Sequence, residues 1–419
     1  MKLAVVGGGS TYTPELIDGF ARLRELLPIE ELWLVDTDPD RLRLVGGMSE
    51  RMFRAAGHPG RIVPTSDLVA GVSDADAVLI QLRVGGQDAR QGDETFPHEC
   101  GCIGQETTGP GGFAKALRTV PVVLGVADVV RRHAKPGAWI VDFTNPVGIV
   151  TRALLQEGHR AVGLCNVAIG FQRRFAKLLG VDHGRVALGH VGLNHLTWER
   201  SVTVDGADVL PDLLGAHLGE LAEEIELPAS LISLLGSVPS YYLRYYYAHD
   251  EVLREQLDAP TRAEAVRRVE HELLEKYADP AVDTKPEQLA QRGGAFYSEA
   301  AVDLIASLTS DRGDVQVVNL RNGGSLPFLP DDHVIEVPAT VGAGGVSALP
   351  IDPLPADIAG LIGHVAGYER LALDAAVHGG RDRVLRAMLA HPLVGQYDRA
   401  EKLTDLLIAG NREHLAWAR

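Results

Sequence analysis

The chain opens with a run of signals that few folds satisfy together. An apolar stretch, Lys2 to Val6 (KLAVV), leads into Gly7-Gly8-Gly9-Ser10 and then a helical pattern from about Pro14 to Leu27. A second apolar stretch, Leu32 to Val35 (LWLV), ends in Asp36. Strand, turn, helix and strand in this order predict a parallel pair with a helical crossover. Pro14 suits a first helical turn and Thr13 suits the cap before it. Glycines let the backbone approach a pyrophosphate, and a helix N-terminus favours its negative charge. Asp36 falls where an acid meets the ribose hydroxyls of NAD, which argues for NAD over NADP. Tyr12 occupies the third glycine position of the usual G-x-G-x-x-G pattern, so the alternative is a plain glycine turn. The order of strand, turn, helix and acid favours the cofactor.

The alternation continues. Asp76 to Leu82 (DAVLIQL) reads as a buried parallel strand running into Arg83-Val84-Gly85-Gly86, a strand-end loop of the kind that binds ligands. Arg83 directly follows that strand and is a better anion-binding candidate than Arg90, which can face solvent. Ala138 to Phe143 (AWIVDF) ends in Thr144-Asn145-Pro146-Val147, where Asn145 either bonds substrate or nicotinamide, or caps the next helix. At least four alternations before residue 160 predict an α/β fold with a doubly wound, Rossmann-type sheet. A chain of 419 residues is large for one core, so a second α/β domain is expected: 1–160 for NAD, 161–419 for metal and substrate. Between these strands lies Gly101 to Phe113 (GCIGQETTGPGGF), with Glu106 in its middle. It reads as a mobile loop or as a lid or cofactor loop. Cys100 and Cys102 have no second pair and read as structural.

Two apolar, Gly-bounded runs follow, GLCNVAIG (Gly163 to Gly170) and GHVGLNHLTW (Gly189 to Trp198). They present Cys165 and His195, a soft and a borderline metal ligand, in settings that suit strand ends. Leu214 to Ile225 predicts one acidic amphipathic helix. Val238 to Tyr247 (VPSYYLRYYY) holds five of the ten tyrosines. A packed aromatic helix accounts for most of them, and one phenol beside a metal and an arginine, Arg244 or Arg292, can serve as a base. Gln291 to Leu308 reads as a Gly-led turn and helix, with Arg292 at its mouth as a second anion candidate. Val315 to Leu320 with Asn322-Gly323-Gly324 reads as strand and tight turn. Helices are expected at Ile358 to Leu371, at Arg381 to Leu389, and at Arg399 to Leu415 with a break at Gly410.

A formal net charge of -16 argues against nucleic acid as partner. It leaves room for a small phosphorylated substrate held by a few arginines. The longest apolar stretch, Val120 to Val130, is too short to cross a bilayer, so no membrane partner is expected. A strand beginning at Lys2 leaves no signal peptide, and three cysteines without a paired framework point to the cytoplasm.

Taken together, GGGSTYTP, IQLRVGG, GQETTGPGG, FTNP, LCNV, GLNH, PSYYLRYYY and RGGAFYSEA resemble glycoside hydrolase family 4, over residues 1 to about 345. The family is an exception to the two-carboxylate scheme of most glycosidases and is similar in fold to the lactate and malate dehydrogenases. Cys-Asn-Val-Pro marks its 6-phospho-β-glucosidases. Cys165-Asn166-Val167 matches, and Ala168 stands in place of the proline. The resemblance implies Cys165 and His195 as ligands of a divalent metal, usually Mn²⁺, and Tyr242 as the base. It implies Asn145 and Asn166 on the sugar hydroxyls, Ser10 and Arg292 near the 6-phosphate, and Gly7, Gly9, Tyr12 and Asp36 on NAD, with Ser10 in the same cofactor turn. The chemistry implied is oxidation at sugar C3, proton removal at C2, loss of the aglycone, addition of water and re-reduction. The alternatives are a 2-hydroxy acid dehydrogenase, a non-catalytic NAD sensor, and a family member acting on α-linked or unphosphorylated glycosides. Family precedent and long amphipathic helices suggest a homodimer or homotetramer.

Overall fold

The computed structural model describes residues 1–292 and 296–419. Among these, thirteen strands form one sheet. In chain order they are β1 (Lys2–Val6), β2 (Glu31–Val35), β3 (Arg61–Thr65), β4 (Ala77–Ile80), β5 (Trp139–Asp142), β6 (Ala161–Gly163) and β7 (Val186–Leu193). There follow β8 (Leu196–Val204), β9 (Ala207–Asp208), β10 (Val238–Pro239), β11 (Asp314–Arg321), β12 (Val334–Gly342) and β13 (Gly345–Ala348).

The first six strands are parallel in the order β3-β2-β1-β4-β5-β6. Strands β4, β5 and β6 are buried at every position, which is why they read as unbroken apolar runs. Helices Thr13–Arg22, Pro39–Ala55, Gly109–His133 and Val147–Gln156 lie between them in sequence. At β6 the sheet changes character: β11, β12, β7, β8 and β10 follow as antiparallel neighbours. The division expected after residue 160 thus falls just before the strand that joins the parallel and antiparallel parts.

One row of paired residues crosses both parts. Thr65, Val35, Val6, Ile80, Asp142, Gly163, Asn319, Glu336, Gly192 and Thr197 face one another in turn. On the parallel side the strands end at this row, so Gly7, Asp36, Gln81, Phe143 and Leu164 each follow it directly. That edge is where doubly wound sheets bind ligands.

Several local expectations change. The acidic run is two helices, Leu210–Ala216 and Leu218–Ile225, because His217 leaves helical geometry and its ring bonds Glu220 instead. The tyrosine run is not one helix, since Val238–Pro239 is drawn into pairing with β8; a 3-10 turn at Tyr241–Leu243 and a helix at Arg244–Tyr247 follow. The first helix stops at Arg22, and the last runs Tyr397–Asn411 straight through Gly410.

Candidate active site

The glycine turn is held by its own backbone. Gly7 and Gly8 both donate to Val35 O, at 2.8 and 2.9 Å. Gly7 sits at φ 92°, and a Cβ there would lie 2.5 Å from the carbonyl oxygen of Gln81, so only glycine fits. Asp36 accepts from the N–H of Gly9 at 2.8 Å and of Asp38 at 3.1 Å, which fixes its carboxylate at the mouth of the turn. Gly7, Gly9, Ser10, Asp36, Arg83 and Glu270 are among the residues lining a cleft of about 490 Å³. Tyr12 is not in that lining; its ring meets Tyr297 edge-on at 5.6 Å, and Tyr297 packs on Phe143 at 4.2 Å.

Arg83 reaches the cleft but is not an open cation. Its guanidinium pairs with Glu106, which also receives Lys115 at 2.9 Å and Arg90 at 3.3 Å. Burial, the largest single effect, would raise the Glu106 carboxyl, yet the charges of Arg83, Lys115 and Arg90 hold it well below the ordinary carboxylate range. The segment around Glu106, read from sequence as a mobile loop or as a lid or cofactor loop, is well packed in this structure. It is a packed crosspiece, with Cys102, Ile103, Gly104, Glu106 and Thr108 all buried. Arg90, which sequence left free to face solvent, is buried in the same cluster. The sequence showed these charges but gave no sign of their pairing.

His195 and Asn194 form the turn between β7 and β8, with Leu193 paired to Leu196 and His195 at φ 64°. His195 is buried and its ring is pushed down to about 4, chiefly by burial, so it is neutral as a metal ligand must be. Its Nδ1 lies 3.0 Å from Thr107 Oγ1, and the Thr107 hydroxyl donates to Gln105 Oε1 at 2.8 Å. Gln105 Oε1 also accepts from the N–H groups of Thr107 and Thr108, which identifies it as the amide oxygen. The one hydroxyl proton of Thr107 is thus committed, and His195 Nδ1 must donate to it. That leaves the Nε2 lone pair for a cation. Thr107 and Gln105 were not singled out in the sequence, where their signal was their place beside Glu106 in the GQETTGPGG motif.

Tyr242 lies flat on His195, with ring centroids 3.7 Å apart and planes 9° from parallel. Its position follows from sheet pairing, since Pro239 faces Trp198 and Ser240 N–H donates to Thr197 O at 2.9 Å. Burial pushes the phenol well above its ordinary range, and Cys165 acts on it in the same direction. Arg244, a proposed source of positive charge for this phenol, does not serve. Its guanidinium is taken up by Glu226, Glu255 and the hydroxyl of Tyr241.

Cys165 lies two residues before helix Val167–Leu179, with Asn166 at the position preceding the helix. Burial first and the Glu336 charge second push its thiol up to about 12, against hydrogen bonds from the N–H groups of Val167 and Asn166 and from the Asn194 side chain. Ala168 is the second residue of that helix, in the first turn where proline is tolerated, so a helix start here is compatible with either residue. Asn145 Oδ1 is buried with no donor among the described residues. Arg292 closes the 3-10 turn Glu287–Arg292, and its side chain lies outside the described residues.

The donor set fits a cation that keeps open positions. Among the described residues no three His, Cys, Asp or Glu side chains group closely enough to hold an ion. A neutral imidazole with a directed lone pair and a thiol at a helix N-terminus would supply two ligands, leaving the others to substrate and water. Cys100 and Cys102 are free, and Cys102 is buried against the Leu393 carbonyl, as structural cysteines.

Comparison with known proteins places this geometry. The description "Family 4 glycosyl hydrolase" matches residues 2–181, and "Family 4 glycosyl hydrolase C-terminal domain" matches residues 190–394. A probable 6-phospho-beta-glucosidase of Bacillus subtilis strain 168 is 40% identical over 99% of this chain and 97% of its own. The 6-phospho-beta glucosidase of Thermotoga maritima, solved with manganese, NAD+ and glucose-6-phosphate, superposes with a TM-score of 0.92 at 35% identity, covering 99% of both chains. A malate dehydrogenase from Salinibacter ruber shares the fold at a TM-score of 0.54 and 17% identity, over 91% of this chain and 99% of its own.

Proposed function

The chain belongs to family 4 of the glycosyl hydrolases, and on that premise we propose that it hydrolyses 6-phospho-β-glucosides with NAD and a divalent cation, Mn²⁺ above all. The observation that carries the reading is Tyr242 stacked on His195, whose turn neighbour Asn194 hydrogen-bonds Cys165 and whose Nδ1 meets Thr107, next to the Glu106 that pairs with Arg83 in the lining of the glycine-turn cleft. Bound in that cleft, NAD would take up and return a hydride at the sugar, while a cation on Cys165 and His195 would polarise the sugar hydroxyls.

The chain's own groups do the rest. Asn145 Oδ1 accepts from a sugar hydroxyl, and Asn166, next to Cys165, meets a neighbouring one. Tyr242 Oη takes the proton from sugar C2. A phenol raised by burial needs nearby positive charge to act as a base; Arg244 is spent, and a cation held by Cys165 and His195 would supply that charge. The aglycone then leaves C1 and water adds. Ser10 and Arg292 serve the 6-phosphate, and Arg83, braced by Glu106, lines the approach.

A net charge of -16 supports a small-molecule substrate over nucleic acid. Among the described residues no helix is long and apolar enough to cross a membrane. Three free cysteines support a cytoplasmic protein, and the long helices support a homodimer or homotetramer. The dehydrogenase reading needs a catalytic histidine paired with a carboxylate. His195 Nδ1 pairs with Thr107 instead, and the carboxylate-paired His190 is fully buried with both ring nitrogens taken up by Glu199 and Glu336, leaving none for a substrate.

The test is nitrophenol release from nitrophenyl β-glucoside 6-phosphate in D₂O, with NAD⁺, Mn²⁺ and a thiol reductant. Activity requiring NAD⁺ and Mn²⁺, with deuterium at C2 of the product, is expected. Hydrogen retained at C2 would sink the elimination route, and turnover of only the α-linked or unphosphorylated analogue would move the substrate.

A further inference from the structure

Behind the two candidate ligands lies a file of buried charged groups that the chemistry above does not use. His190 on β7 stands between two carboxylates, with Nδ1 2.5 Å from Glu199 Oε1 on β8 and Nε2 3.0 Å from Glu336 Oε1 on β12. The side chains of all three are at most 2% exposed. Both ring nitrogens face a carboxylate oxygen, so the imidazole donates twice and is cationic. Two carboxylates against one imidazolium leave one net negative charge in the interior, and that charge needs a partner.

Glu199 Oε2 is buried with no partner among the described residues, while the Glu336 end of the file reaches toward the site. Glu336 Oε2 accepts from Asn194 Nδ2 at 2.9 Å and from Asn319 Nδ2 at 2.8 Å. The Asn194 side chain also hydrogen-bonds Cys165. Asn194 is half of the turn that carries His195, and Asn319 pairs with Gly163, two residues before Cys165. Glu336 therefore grips both chain segments that deliver the ligands. Its charge acts on Cys165 and on His195 alike, yet it does not join them in a three-ligand cluster.

The geometry points to the Glu199–His190–Glu336 file as the positioning device of the cation site: acting through Asn194 and Asn319, it fixes the Cys165 and His195 segments and supplies a buried negative charge that favours a divalent cation. The inference rests on the assignment of that cation to Cys165 and His195. Ligand-orienting partners of this kind are typically worth roughly 10- to 100-fold in metal affinity.

Mn²⁺ binding to the whole protein, read from the electron paramagnetic resonance signal of free Mn²⁺, separates the two ideas without any turnover. The parent should bind one Mn²⁺ that Cys165→Ser abolishes; if it does not, the site assignment itself fails. Given that binding, Glu336→Gln should weaken it roughly 10-fold or more, while NAD⁺ affinity and the far-ultraviolet dichroism spectrum stay those of the parent. Glu199→Gln, one ring removed from the Asn194 turn, removes the net charge without touching the ligand segments and should also weaken binding severalfold. It carries the test if Glu336→Gln does not fold. Mn²⁺ affinity within twofold of the parent in a folded Glu199→Gln or Glu336→Gln protein overturns the inference, as does a thermal midpoint in chelator that falls with no change in Mn²⁺ affinity.

Discussion

Thr107 has one hydroxyl proton, and it goes to Gln105 Oε1 at 2.8 Å. That single commitment orients the proton on His195 and so decides which ring nitrogen faces outward. Thr107→Val keeps the shape and removes the acceptor. Mn²⁺ affinity should fall roughly 10-fold or more, with NAD⁺ affinity unchanged in fluorescence titration, because Thr107 lies outside the glycine-turn cleft. Equal Mn²⁺ affinity would show that the Nδ1 contact is not what holds the ring. Cys165, His195 and Tyr242 stood out in the sequence as candidates because their residue types are chemically distinctive within motifs that matched a family. Thr107 lies in a matching motif too, GQETTGPGG, but did not stand out, since a threonine takes its role only from what stands across from it. Arg244 is the converse case: a plausible charge beside a tyrosine in sequence, but directed in space at Glu226 and Glu255.

Among the elements, β5 illustrates a buried polar end. Asp142 is fully buried where β5 stops, accepting from Thr144 N–H at 2.9 Å and from the Thr151 hydroxyl at 3.2 Å. Burial pushes its carboxyl from 3.8 up to about 8. Between those two values the folded chain keeps a proton that the unfolded chain has lost. Stability should therefore fall as pH rises through that window and level off above it, with each unit costing up to about 1.4 kcal/mol. Asp142→Asn mimics the protonated form and can bond both threonines. Urea denaturation at pH 5 and pH 8 should show a smaller loss in the variant than in the parent; the same loss in both would rule out Asp142 as its source. The strand itself was readable within the run Ala138 to Phe143, whereas the tyrosine segment was misread as one helix. There, two residues of antiparallel pairing with β8 outweighed local pattern, which periodicity along one segment cannot register.

At the scale of the molecule, the sheet is continuous from β3 to β10, with no strand-free seam between the cofactor and substrate parts. Unfolding should then be one cooperative event. Trp33 and Trp139 report on the parallel part and Trp198 on the antiparallel part. Urea transitions of Trp33→Phe/Trp139→Phe and of Trp198→Phe, each followed by fluorescence and by circular dichroism, should coincide between the two probes. Separate midpoints would divide the molecule near β6. The α/β class, the N-terminal strand-turn-helix unit, the acid at Asp36 and the family were determined by sequence alone, because each is written in contiguous residues whose spacing the backbone enforces. The pairing of Glu106 with three cations, the direction of the His195 lone pair and the Glu199–His190–Glu336 file were decided only by tertiary structure. Their members come from strands and helices far apart in the chain, and hydrogen bonds and charges act through distance in space, not separation in sequence.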